Sequence, residues 1–164
     1  MAGAAAPSHE ELLYRLQSLA ERAVRRYALP TTVTLQLINL SENATYRVDD
    51  SATGSKWALR VHREGYHSRT AIASELQWQI ALKASGAAIT PTPVRGNDGE
   101  FIQAVANEGL PRPRNVVLFA WEEGQEPAAT DAAGFETLGA IAARMHAHVR
   151  TWQPEQNISL LTPV

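Results

Sequence analysis

Two charged residues interrupt apolar stretches of the sequence, where a lone charge is costly. Arg60 lies within WALRV (57–61), a run typical of a buried strand, and Glu75 lies within AIASELQWQIAL (71–82), a run typical of an apolar helix. An uncompensated charge in such surroundings is strongly destabilising. We therefore expect the two side chains to form a salt bridge, although each residue taken singly is equally typical of an exposed position.

Alternation along the strand indicates what such a pair could do. It places Ala58, Arg60 and His62 on one face, and it makes the other face the core face, with Trp57, Leu59 and Val61. A small residue beside a guanidinium predicts an open cleft with room for a flat ligand near Ala58. A strand cation held by a helix carboxylate is the arrangement with which kinases bind the α- and β-phosphates of ATP.

Hydrophobic periodicity predicts the elements that position these residues. A helix begins at Ser8, where Ser8 and Glu11 match a capping box, and ends before Pro30. Three antiparallel strands follow at 31–38, 44–48 and 56–62, and a second helix over 68–85 ends at Gly86. After the extended connector ITPTPV come a turn at Asp98-Gly99, a fourth strand, a fifth strand in NVVLFAW (115–121), and a last helix from about Asp131.

This order of elements predicts an α+β fold, with helices packed on one side of an antiparallel sheet. We divide the chain into a tail and amphipathic helix (1–30), a five-stranded lobe (31–121), a hinge or linker (122–130) and the incomplete start of a second lobe (131–164).

Composition excludes several classes of protein. The 164 residues include no cysteine, which excludes disulfides and thiolate metal sites, and the net charge of −2 without a basic stripe argues against nucleic-acid binding. No apolar run is long enough to cross a membrane, and the N-terminus lacks the pattern of a signal peptide. We expect a cytoplasmic protein.

An ordered set of short motifs resembles the ATP-binding lobe of the aminoglycoside phosphotransferase/choline kinase-like family, which has the protein-kinase fold. LSENATYRV stands where the family has its glycine-rich loop. WALRV resembles the third-strand motif, with arginine instead of the usual lysine, and ASELQW resembles the segment that carries the helix C glutamate. ITPTPV, VVLFAWEEG and LGAIAARMHAH are similar to the proline connector, the strand entering the hinge and the first helix of the second lobe. The resemblance implies a kinase-like N-lobe with an extra N-terminal helix and the first helix of a truncated C-lobe.

The resemblance also implies a set of nucleotide-binding residues. In a loop that lacks glycine, the side chains of Ser41, Asn43 and Thr45 would donate hydrogen bonds to the phosphates, Arg60 would bind the phosphates, and Glu75 would orient Arg60. Val48 and Ala58 would enclose the adenine. Phe119 would be the gatekeeper, and the Ala120 carbonyl and the Glu122 amide would bind the adenine edge.

Phosphoryl transfer also needs a carboxylate base and Mg²⁺ ligands, and no motif in this chain matches them. We expect no catalytic and no metal-binding residue in the chain, and we place the Mg²⁺ ligands beyond Val164. Asp131 is then a helix N-cap and His146 a packing residue. The chain alone is predicted to be inactive, as part of an enzyme that transfers phosphate from ATP to a hydroxyl of a small molecule.

The last helix carries an apolar face with Leu138, Ile141 and Met145. We expect this face to be exposed, which would permit self-association.

Three alternatives stay open at the level of sequence. The glycine-free loop and the missing catalytic residues favour a non-catalytic, kinase-like binding or regulatory module. A relative that phosphorylates protein serine or threonine would share the same lobe. An unrelated α+β interaction domain is the third alternative.

Overall fold

The computed structural model describes residues 7–125 and 128–154 of the chain. The helices are α1 (His9–Val24), α2 (Arg69–Ser85) and α3 (Ala132–Val149), and the strands are β1 (Thr34–Leu40), β2 (Asn43–Asp49), β3 (Lys56–His62), β4 (Pro93–Val94), β5 (Ile102–Val105) and β6 (Arg114–Ala120). The chain divides into two compact units, one formed by residues 1–67 and 94–119 and the other by residues 68–93 and 120–164.

The first unit is built on a sheet with strand order β1-β2-β3-β6-β4, in which β5 also pairs with β6. Strands β1, β2 and β3 form an antiparallel meander, as the sequence predicts, and their register is continuous except for one irregularity between Leu37 and Asn39. Only two residues, Ser41 and Glu42, connect β1 to β2. The register therefore fixes which residues of β2 lie beside Arg60.

One face of this sheet forms the hydrophobic core with α1. Alternate residues of the strands point to it, since successive side chains of a strand lie on opposite faces. The buried members of this cluster on β2, β3 and β6 are Ala44, Tyr46, Val48, Leu59, Val61, Val116 and Leu118, and those on α1 are Leu16, Leu19, Ala20, Ala23 and Val24. Each fully buried aliphatic side chain contributes roughly 1.5–3 kcal/mol to stability. The other face of β2 and β3 is more polar.

The turn between β2 and β3 is held by a buried carboxylate. Asp50 accepts hydrogen bonds from the Thr53 hydroxyl (2.6 Å), the Thr32 hydroxyl (3.2 Å) and the Ala52 amide (3.2 Å). Hydrogen bonding, first from Thr53, holds the pKa of Asp50 below its ordinary value. Gly54 has φ +73, a conformation that favours glycine. This turn sets the start of β3, four residues before Arg60.

The second unit contains α2 and α3. The Ser68 hydroxyl caps α2 by accepting from the Ala71 amide, and Gly86 ends this helix in the left-handed conformation, as predicted. Asp131 caps α3 by accepting from the Gly134 amide, which confirms the role expected for it. None of the described α3 residues is buried, and Leu138 is 56% exposed, whereas Ile141 and Met145 are half-buried.

The predicted fold class is confirmed: three helices accompany an antiparallel sheet. The sheet has six strands instead of five, because Pro93 and Val94 of the predicted connector pair with β6 as a short strand. In the described residues, no helix has the length and hydropathy needed to span a bilayer.

Candidate functional site

The polar face of β2 and β3 brings together several of the predicted site residues. In the antiparallel register, Thr45 lies opposite Arg60 and Arg47 lies opposite Ala58. Directly opposed residues share a face of the sheet, so Thr45, Arg47, Ala58 and Arg60 form one patch. All four are only partly buried. The patch combines a small side chain with two guanidinium groups, of which that of Arg47 is paired with Asp49 at 2.8 Å.

Phe119 at the end of β6 supports the Arg60 side chain. The guanidinium carbon of Arg60 lies 5.1 Å from the centre of the Phe119 ring, within the range of a cation–π contact. Phe119 is 2% exposed, so its ring position is fixed by packing. The structure therefore brings together Arg60 and Phe119, two residues that the sequence proposed for different roles.

Val48 does not lie on this face. It is fully buried in the core cluster, and its partner in the register is Trp57, not Ala58. The expectation that Val48 and Ala58 line one pocket is therefore corrected: Val48 packs on the α1 side of the sheet. On β2, the residues that share the face of Ala58 are Thr45 and Arg47.

The β1–β2 turn carries Ser41 and Asn43 but also an ionised carboxylate. The backbone amide of Arg63 donates to Asn43 Oδ1 at 3.2 Å, which ties the turn to the end of β3. The pKa of Glu42 is lowered, first by its own backbone amide and then by the Ser41 hydroxyl and the charge of Arg63. Glu42 is exposed, so its negative charge lies at the tip of the loop expected to bind phosphate.

Glu75 lies on α2 in the second unit. Its Oε1 accepts from Gln79 Nε2 at 3.0 Å, one helical turn away. Both residues are half-buried, beside Ile72, Leu76 and Leu82, which are buried. The apolar arc expected around Glu75 is therefore present. The Arg60–Glu75 salt bridge would join the two units and stays a prediction.

The predicted hinge is fixed by contacts within the second unit. The Ala120 amide donates to the Thr92 carbonyl at 2.8 Å. Lys83 Nζ donates to Thr92 Oγ1 at 2.8 Å and to Glu122 Oε1 at 2.7 Å. The carboxylate of Glu122 is thus engaged with α2, and only its backbone amide was expected to bind a ligand.

His62 at the end of β3 is buried and neutral. It is 3% exposed, and no described residue hydrogen-bonds either of its ring nitrogens. Burial, and to a smaller extent the charges of Arg60 and His67, lower the pKa of His62 to about 4. Alternation placed His62 on the Arg60 face, but the sequence contained no sign that it would be buried.

Two further residues with defined contacts were missed by sequence reasoning. Lys83, which fixes Glu122, is 39 positions away from its partner. Arg114 pairs with Glu64 at 3.5 Å from a distant part of the chain. Thr45 was already expected to bind phosphate. Arg47 was not named, although its place beside Thr45 could have been found, because both alternate with apolar Ala44, Tyr46 and Val48.

No metal centre is formed by the described residues: they contain no group of three or more His, Asp or Glu side chains able to hold an ion.

Comparison with known proteins relates this geometry to a family. Residues 34–162 match the phosphotransferase enzyme family, APH. A microcompartment-associated aminopropanol kinase is similar in structure, with a TM-score of 0.77 and 35% identity over 88% of this chain and 44% of that chain. An amicoumacin kinase, solved in complex with AMP-PNP and Ca²⁺, has the same fold, with a TM-score of 0.69 and 24% identity over 91% of this chain and 45% of that chain.

The chain thus spans less than half the length of these two structures. No curated protein matches it significantly. The family match covers most of the chain and includes the patch formed by Thr45, Arg47, Ala58 and Arg60, the α2 helix and the hinge. The chain therefore belongs to the phosphotransferase enzyme family.

Proposed function

We propose that this chain is the ATP-binding lobe of a phosphotransferase that transfers the γ-phosphate of ATP to a hydroxyl of a small molecule. The class of reaction is supported by membership of the family, and the class of acceptor by 35% identity to an aminopropanol kinase. ATP supplies the phosphoryl group, and Mg²⁺ is the ion proposed to accompany it. The acceptor, catalytic base and Mg²⁺ ligands are not assigned to residues of this chain.

The observation that carries the proposal is the placement of Arg60. Its guanidinium lies over the Phe119 ring, and it shares the polar sheet face with Thr45 and Ala58. Contact with a buried ring restricts the long arginine side chain, so less rotamer entropy is lost when it binds phosphate. A planar guanidinium donates two parallel hydrogen bonds to a phosphate. Arg60 is therefore suited to bind the nucleotide phosphates.

The remaining residues have positioning roles in this proposal. Ala58 leaves space for the adenine, Thr45 donates its hydroxyl beside Arg60, and Ser41 and Asn43 donate from the turn. The Ala120 carbonyl and Glu122 amide bind the adenine edge from the hinge. Glu75 orients Arg60 from α2, which would account for a carboxylate in the apolar arc of that helix.

The test is ATP affinity of the chain and of an Arg60→Ala variant, measured by isothermal titration calorimetry. We expect a loss of at least about tenfold, because charge-assisted hydrogen bonds to the phosphates disappear. Lys56→Ala is the matched control, since it removes one positive charge from the same strand at an exposed position. Thermal unfolding of both variants checks that the fold is retained. Unchanged ATP affinity in Arg60→Ala would remove Arg60 from the site.

A second candidate is a kinase-like module that binds nucleotide weakly or not at all. The ionised Glu42 at the tip of the β1–β2 turn favours it, because a carboxylate there repels phosphate. Calorimetry of the unaltered chain separates the two candidates. A dissociation constant for ATP in the micromolar range supports the first, and millimolar binding or none supports the second.

A further inference from the structure

A cavity of about 290 Å³ opens in the first unit, beside the β1–β2 turn. Its walls come from the first half of α1, the turn itself, the end of β3 and the start of β6. The apolar part of its lining includes Leu12, Leu16 and Leu40, and the polar part consists of Ser41, Glu42, Asn43, His62, Arg63 and Arg114. The volume lies near the lower end of the range for small-molecule pockets.

Two buried polar groups at this cavity have no hydrogen-bond partner among the described residues: the ring of His62, at both nitrogens, and the Nε of Arg114. His62 is 3% exposed. A buried N–H without an acceptor is uncommon in folded proteins, and a bound water or ion is one explanation for it. An imidazole N–H and a guanidinium Nε–H both require an acceptor.

The charges around the cavity indicate the sign of that acceptor. Arg63 and Arg114 both line it, and the charge of Arg63 adds to burial in lowering the pKa of Arg114. The permanent charge of Arg60 also acts on His62. Mutual repulsion among cations beside a buried imidazole is relieved by an anion.

Two carboxylates compensate the positive charge around the cavity only in part. Glu64 pairs with Arg114 at 3.5 Å, but it is shared with Arg112 at 3.6 Å. Glu42 also lines the cavity, yet it is exposed, so solvent and salt screen its charge. Two arginines and one carboxylate therefore line the cavity itself, and the neutral His62 adds a donor without adding a charge.

We propose that this cavity is a binding site for a phosphate-type oxyanion, held by Arg63, Arg114 and His62. Asn43 and Ser41 provide further polar groups at its entrance. The site requires no nucleotide and so stands whether or not the chain binds ATP. The oxyanion can belong to a free phosphate or phosphate ester, or to the terminal phosphates of a nucleotide bound on the neighbouring polar face.

The test is an NMR titration of the chain, with ¹⁵N-labelled histidine, against sodium pyrophosphate at constant ionic strength and pH 7. The chain has five histidines, and comparison with the spectrum of a His62→Gln variant identifies the His62 ring signals, which report on the cavity. We expect a saturable shift of the His62 nitrogens and little change at His146 or His148. Sodium chloride at the same ionic strength is the control for screening alone.

Matched arginine variants link the shift to the cavity. Arg63→Gln removes an exposed cation that lines the cavity, and Arg112→Gln removes an exposed cation that shares Glu64 but does not line it. Pyrophosphate should bind Arg63→Gln about tenfold more weakly and should bind Arg112→Gln with nearly unchanged affinity. No saturable shift, or equal weakening in both variants, would overturn the proposal.

A competition experiment identifies the source of the oxyanion. If ATP displaces pyrophosphate from His62, the cavity receives the phosphates of the nucleotide. If ATP binds while the His62 shift persists, the cavity serves a free phosphate or phosphate ester. Both outcomes uphold the site. Failure of ATP to bind, with pyrophosphate still bound, would count against the proposed function and leave the oxyanion site in place.

Discussion

The guanidinium carbon of Arg60 lies 5.1 Å from the centre of the Phe119 ring. The ring is buried and the guanidinium is half-buried, so the contact is partly shielded from water. A cation–π contact in such surroundings contributes about 0.5–2 kcal/mol. In the proposed lobe, the Phe119 ring therefore restrains the side chain of Arg60, in addition to the gatekeeper role expected for it.

Phe119→Leu should weaken ATP binding by about 3-fold to 10-fold, because leucine keeps the site apolar but offers no π face to Arg60. It should also lower the free energy of unfolding by about 1 kcal/mol through loss of buried volume. Leu118→Val is the control, since Leu118 is buried on the opposite, α1 face of the same strand. That variant should lose stability and retain ATP affinity. Calorimetry and thermal unfolding measure the two quantities, and equal loss of affinity in both variants would contradict the role of the ring.

The parts of the fold that follow from local chemistry were predictable. Ser68, Gly86 and Asp131 cap helices through contacts within a few residues, and the structure places all three at helix ends. The β1–β2–β3 meander follows from short turns between alternating strands. The two-residue strand β4 was not predictable, because Pro93 and Val94 are ordered by pairing with a strand that begins 20 positions later.

The candidate site was predictable only where side-chain alternation decides it. Alternation placed Ala58 and Arg60 on one face. The same reasoning applied to β2 would have replaced Val48 with Arg47 beside the already predicted Thr45. The burial of His62 depends on the cavity that α1, the β1–β2 turn and Arg114 form around it. Such an environment depends on residues distant in sequence, and no local pattern encodes it.

The buried His62 should make stability depend on pH between about 4 and 6.5. Its folded pKa of about 4 lies below the ordinary histidine value of 6.5, so the unfolded chain binds the proton more readily. The stabilising contribution is fully present above pH 6.5 and is lost as the pH falls through the window, by roughly 3 kcal/mol at its acid end. Urea unfolding at about pH 7, 6, 5 and 4.5, in phosphate-free buffer, measures the loss.

His62→Gln should flatten this pH dependence, whatever its effect on stability at pH 7, because glutamine does not titrate. His146→Gln is the control: this histidine is exposed and lies in the other unit, so its replacement should leave the slope unchanged. A slope in His62→Gln as steep as that of the unaltered chain would show that other groups titrate in the window and that His62 is not responsible.

The Lys83–Glu122 ion pair should matter more for ATP affinity than for stability. Both side chains are more than a third exposed, and surface pairs of this kind contribute only about 0–1 kcal/mol to folding. Lys83 also binds the Thr92 hydroxyl, so it fixes the hinge backbone that is proposed to bind the adenine. Lys83→Glu and Glu122→Lys should each weaken ATP binding by about 2-fold to 5-fold. If the ion pair positions the hinge, the double variant Lys83→Glu/Glu122→Lys should recover most of the ATP affinity. If the losses of the two single variants simply add in the double variant, the pair does not have that role.

The exposed face of α3 should cause self-association of the chain. Phe135, Leu138 and Val149 are 52%, 56% and 46% exposed, and at about 100° per residue they fall on one side of the helix, together with Met145. An apolar stripe of this kind is unfavourable in water and tends to become covered. Leu138→Glu should shift the chain towards monomer in sedimentation velocity at concentrations of roughly 10–200 μM.

Ala143→Glu is the matched control for this face. It adds the same charge to an exposed position of the same helix, about 130° around the axis from Leu138 and Val149. If the stripe drives association, Leu138→Glu disrupts the dimer or oligomer and Ala143→Glu does not. If both variants dissociate it, added charge alone is responsible. A chain that is monomeric throughout the concentration range would show that this face is too small or too irregular to hold two copies together.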